Sequence, residues 1–183
     1  MKAFCTPRTL IRGLSLGLLL SLSLAAVGDD FLQGPEDHRD YSREPWREEE
    51  TSLPPFPQTR HLMELNVPQV SGRLRYAIDA ENLSVGDDGV VRYTVVVSSS
   101  SGARSVFFEG LRCSERTYKI YAYGHGGDSF RRRQDPQWQP IPRRGSQAFR
   151  DDLRRSQFCD RFGNVRPRHE IIRHLRGDFT LDL

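Results

Sequence analysis

From His61 onward the chain alternates apolar and polar positions with a period of two, and after Pro142 the rhythm changes to one of three to four. The first rhythm belongs to strands, whose successive side chains leave on opposite faces, and the second to helices. Leu74, Tyr76 and Ile78 share one face of a half-buried strand, with Arg73, Arg75 and Ala77 on the other. Val90 to Val97, "VVRYTVVV", is β-branched and apolar enough for a central strand. Turn signals flank it at Gly86–Gly89 and Ser98–Gly102. The pattern continues through "ARSVFFEGLRC", returns through "TYKIYAYG", turns at Gly124–Gly127 and leaves through "SFRRR". Short connections favour antiparallel neighbours, so the spacing predicts a meander of about five strands.

Two helices follow. In "SQAFRDDLRRSQFC", Phe149, Leu153 and Phe158 form the apolar stripe, with Ser146 as N-cap and Asp151 and Asp152 early in the helix. The second runs over about Pro167 to Leu175, buries Ile171, Ile172 and Leu175, and stops at Gly177. The expected fold class is α+β: an antiparallel sheet packed against two C-terminal helices.

Upstream of the alternation the sequence changes character. Residues 29–60 carry nine acidic and four basic side chains and five prolines, without apolar periodicity. They read as an extended, partly disordered acidic leader. "SLPPFP" is a possible polyproline II docking segment, but Trp46 and Phe56 offer few apolar anchors, which favours a tether. Residues 1–28 place Lys2, Arg8 and Arg12 before an uncharged Leu/Ser run and end in Ala26-Val27-Gly28. That order is a secretory signal peptide cleaved before Asp29, not a membrane span. Cys5 precedes the apolar run, so it is no lipid-attachment site. The predicted organisation is signal peptide 1–28, leader 29–60 and a single domain 61–183.

Export changes the meaning of the charge. The formal net charge of +3 comes from the three basic residues of the signal; without them 24 Lys and Arg face 24 Asp and Glu. A neutral mature chain gives no reason to expect nucleic acid or a membrane surface as ligand. It retains Cys113 and Cys159, an even count in an oxidising compartment, for which a disulfide is the default. A bridge across 46 positions would pin the first helix to the sheet and stabilise by roughly 4 kcal/mol on the chain-entropy account. A cysteine nucleophile would leave the second cysteine unexplained, and zinc would need two more ligands at suitable spacing. No metal and no cofactor is expected.

"LSVGDDGVVRYTVVVSSSSGARSVFFEGLRC", followed by "KIYAYG", "WQPI" and "FCD", resembles the cryptic-neisserial-protein-like family of Gram-negative envelope proteins. The resemblance spans roughly Arg47 to Ile172. It implies export to the periplasm, peripheral outer-membrane association and an antiparallel α+β domain, and it carries over no catalytic or cofactor residue. Gly102, Glu109, Gly110, Arg112, Cys113, Tyr121, Trp138 and Cys159 best match its hallmarks.

Two stretches hold candidate chemistry. His125 to Phe130, "HGGDSF", brings His, Asp and Ser together as some hydrolases do, yet Gly-Gly-Asp is also what a turn between strands requires. Phe130 to Trp138, "FRRRQDPQW", sets three consecutive arginines beside an aromatic. Arg131, Arg132 and Arg133, with Arg112 and Trp138, are the candidate contacts for a phosphate, a lipopolysaccharide or an acidic partner. Arginine supplies nearly all positive charge in this chain, so solvated or paired side chains are the plainer alternative. Glu109 and Arg112 are expected to form a buried pair at the strand end. The expected function is a non-enzymatic periplasmic protein binding another envelope component, with a small hydrolase and a peripheral anion-binding protein as alternatives.

Overall fold

The β-branched run at Val90–Ser99 is the spine of the computed structural model, which describes residues 45–66 and 74–178. The predicted signal peptide and the first part of the predicted leader lie outside the described residues. In chain order the strands are β1 (Leu62–Glu64), β2 (Leu74–Asp79), β3 (Ser84–Val85), β4 (Val90–Ser99), β5 (Arg104–Arg112), β6 (Thr117–His125), β7 (Ser129–Arg132) and β8 (Gln139–Pro140). They form one antiparallel sheet in the order β1-β2-β4-β5-β6-β7, with β3 also on β4 and β8 also on β6. The sheet therefore has eight strands rather than about five. The three additions are two or three residues long, too short for an alternation to register in the sequence. β2 and β3 share one edge of β4, and β7 and β8 share one edge of β6.

One face carries the helices. α1 (Phe149–Asp152) runs directly into a π-helical stretch, Leu153–Phe158, and α2 spans Arg168–Arg176. Phe158 comes five positions after Leu153, off a 3.6-residue stripe; the wider π turn restores it to the buried side. The predicted N-cap at Ser146 is not used, because Gly145–Ala148 makes a turn and the helix begins at Phe149. α2 stops where predicted, at Gly177 with φ 78°. Tyr76, Ile78, Val91, Tyr93, Val95 and Leu111 pack against Phe149, Leu153, Phe158 and Ile171. Tyr76 stacks on Phe149 at 4.7 Å, and Tyr93 meets Phe158 edge-on at 5.0 Å.

The opposite face is closed by residues 45–58, a strap without regular secondary structure. Leu53 joins Phe108, Tyr121, Ala122 and Phe130, and Phe56 packs on Phe130 at 5.2 Å. A β-bulge in β6 prepares this face: Phe108 pairs with Ala122 and Glu109 with Ile120, so the extra Tyr121 lies on the strap side with Ala122. Gly110 makes room for it, since a Cβ there would stand 2.5 Å from the Tyr121 hydroxyl. The sequence offers only Trp46 and Phe56 as large apolar anchors for the strap. The strap is held largely by polar groups. Glu48 accepts hydrogen bonds from Lys119 Nζ (2.8 Å), the Tyr121 hydroxyl (2.6 Å) and Trp138 Nε1 (3.1 Å). Arg92 donates to Thr51 Oγ1, to the Glu49 carbonyl and to both Asp88 carboxylate oxygens. Asp88 in turn accepts from the Glu49 N–H, and Trp46 Nε1 donates to the Asp88 carbonyl.

Candidate functional site

Cys113 and Cys159 are joined by a disulfide with Cα atoms 5.7 Å apart, which ties the end of β5 to the end of the π turn. This removes both thiols from chemistry and fixes the helical layer at one end of the sheet. Among the described residues no group of three His, Cys, Asp or Glu is placed to hold a metal ion.

At the middle of the helix face stands Glu109, fully buried between Tyr93 on β4 and Ile120 on β6. Its partner is not Arg112, as the sequence suggested, but Arg150 from α1. Arg150 Nε donates to Glu109 Oε2 at 2.8 Å, Nη2 donates to Oε1, and the Tyr93 hydroxyl donates to Oε2 at 2.9 Å. Arg112 lies three positions along β5 and so leaves on the opposite, strap face, where its guanidinium sits 3.6 Å from the Trp46 ring centre. Burial works against the charged form of Arg150, yet the Glu109 carboxylate outweighs it and raises its pKa. Burial and the Glu109 charge push the Tyr93 hydroxyl well up, so it remains a donor. The guanidinium lies between Tyr118 at 4.1 Å and Phe149 at 4.5 Å. No spacing in the sequence announced Arg150, which lies 41 positions from its carboxylate.

Arg150 also forms the inner wall of the best candidate for a binding site. The helices are too short to cover the whole face, and beyond Arg150 the sheet continues uncovered. There Leu74, Val97, Phe107 and Ile120 remain half-buried and floor a cleft of about 530 Å³. Phe149 and Arg150 close one side, and Ser105, Arg133, Gln139, Ser146 and Gln147 add polar groups around the rim. Its volume lies in the range of small-molecule sites, roughly 300–1,000 Å³. Gln147 Oε1 accepts from Arg150 Nη1 at 3.2 Å and from the Tyr118 hydroxyl at 3.0 Å, which links the cleft to the buried ion pair.

The candidate arginines are not brought together. Arg132 pairs opposite Ala122 on the strap side and donates through both terminal nitrogens to the Thr51 carbonyl at 3.2 Å. Arg131 pairs opposite Tyr123 on the helix side and is exposed, and Arg133, next on that side, lines the cleft. Trp138 belongs to the strap network, edge-on to Trp46 at 6.0 Å. The His125–Ser129 stretch is the β6–β7 hairpin, with Ser129 Oγ donating to the His125 carbonyl at 3.0 Å and Gly126 and Gly127 at positive φ. His125, Asp128 and Ser129 are all exposed there, so the stretch serves the turn.

No curated protein and no solved structure matches the chain. A family model does, over residues 41–176, a span that takes in the strap, every strand and both helices: the chain belongs to the CNP1-like family.

Proposed function

We propose that the chain is exported to the periplasm and acts there as a non-enzymatic binding domain, holding another envelope component in the cleft beside Arg150. The observation that carries this is the uncovered apolar floor of Leu74, Val97, Phe107 and Ile120, bordered by polar side chains. A sheet face left half-open costs hydrophobic stabilisation that a longer helix would supply, so the opening asks for an occupant. The signal-like first 28 residues and the paired cysteines support the compartment. Among the described residues no helix is long and apolar enough to cross a membrane. The hydrolase alternative has no such support, because Ser129 is bonded to its own turn.

The test is a photo-crosslinking residue at Ile120 of the full chain, expressed in its own cell and followed by fractionation. The expected result is protein in the periplasmic fraction with a discrete adduct that a control position on exposed Arg116 does not give. Cytoplasmic protein, or the same diffuse adducts from both positions, would overturn the proposal.

A further inference from the structure

The polar lining of the cleft includes two guanidinium groups, Arg133 and Arg150. No Asp or Glu lines it. Arg150 can only donate, so the Gln147 carbonyl must face it, and the Gln147 amide N–H groups are left without an acceptor among the described residues. The charge of Arg150 is already matched by Glu109. Arg133 has no carboxylate partner among the described residues, and it is therefore the uncompensated charge of the cleft. An apolar floor beneath an unmatched cation and spare amide donors is complementary to a molecule with a hydrocarbon chain and a negative head.

We propose that the cleft binds a single-chain amphiphile with an anionic head, its chain along Val97, Phe107 and Ile120 and its carboxylate or phosphate on Arg133 and the Gln147 amide. A guanidinium fork fits either head with two parallel hydrogen bonds. The inference rests on the binding role of the cleft and narrows it to one ligand chemistry. The buried ion pair has a part in this selectivity. By fixing the Gln147 carbonyl, Arg150 presents the donor side of that amide to the ligand, so it is a positioning residue.

The experiment titrates the oxidised chain lacking residues 1–28 with dodecanoate, dodecyl phosphate, dodecyltrimethylammonium and inorganic phosphate, using isothermal calorimetry below micelle-forming concentrations. Saturable one-to-one binding of the two anionic amphiphiles is expected, with the ammonium and bare phosphate weaker by about tenfold or more. Arg133→Gln should weaken dodecanoate by about tenfold with an unchanged unfolding midpoint. Ile120→Ser should weaken both anionic amphiphiles while leaving the preference for the anionic head. Equal binding of the ammonium, or full affinity in Arg133→Gln, would overturn the anionic head. Phosphate binding as tightly as dodecyl phosphate would overturn the chain, as would no saturable binding at all. If the Ile120 crosslink captures a periplasmic protein segment and these titrations fail, the cleft remains a binding site and only the amphiphile falls.

Discussion

On the helix face, Leu111, Val91 and Tyr93 meet Leu153, Phe158 and Ile171, a bidentate ion pair sits at the centre, and a covalent bond closes one end. On the strap face, a few apolar contacts around Leu53 and Phe56 are supplemented by carboxylates, guanidinium groups and indole N–H groups near the surface. Apolar burial in a covalently fixed layer gives way only with the whole domain. Partly solvated hydrogen bonds and ion pairs can be released locally. Both tryptophans of the chain, Trp46 and Trp138, belong to the strap network, so their emission reports that face alone.

The sharpest break in the comparison comes from the ion pair. Arg150→Met strands the Glu109 carboxylate in the core and should cost about 3–5 kcal/mol in urea unfolding, whereas Arg150→Met with Glu109→Leu should recover most of that loss. A single substitution with no cost would mean that the core tolerates a free carboxylate. Reduction of Cys113–Cys159 comes next, at roughly 4 kcal/mol from the same measurement. The ion-pair change should not move the tryptophan emission of the folded protein. Gly110→Ala does the reverse: its Cβ drives Tyr121 off Glu48, costs about 2 kcal/mol, and alters the emission before global unfolding.

The mildest lever is acid. Burial tends to raise the pKa values of Glu48 and Asp88, but hydrogen bonds from Lys119, Tyr121 and Trp138 to the former, and from Arg92 and the strap backbone to the latter, leave both below their ordinary 4.5 and 3.8. A lowered pKa stabilises above the ordinary value and loses that contribution as the pH falls through the folded one. Tryptophan emission should therefore change below about pH 4, ahead of the far-ultraviolet dichroism. Coincident transitions would show that the two faces cannot be separated.

Much of the helix face was legible in the sequence. The alternation of Leu74, Tyr76 and Ile78, the run from Val90 to Val97 and the stop at Gly177 have local causes, and local causes can be read along a chain. The cysteine pairing followed from count and compartment rather than geometry. What stayed hidden was set by distant partners. Glu109 was singled out; the period of two already sends Arg112 to the other face, but the arrival of Arg150 depends on how α1 crosses the sheet. The strap looked like a tether because its anchors are charges, and in a one-dimensional reading charges suggest solvent. Of the five predicted contact residues, only Arg133 reaches the cleft. The floor of that cleft could not be foreseen, because it exists only where the helices end.

The strap also fixes an order of events. Its partners Asp88, Lys119, Tyr121 and Trp138 lie 39 to 90 positions downstream. A chain emerging with its amino end first cannot dock Trp46 until Asp88 has followed, nor complete the contacts of Glu48 until the indole of Trp138 has. Until those partners have followed, Phe108 and Phe130 lack the cover of Leu53 and Phe56, and this face presents an open aromatic surface to whatever attends the nascent chain.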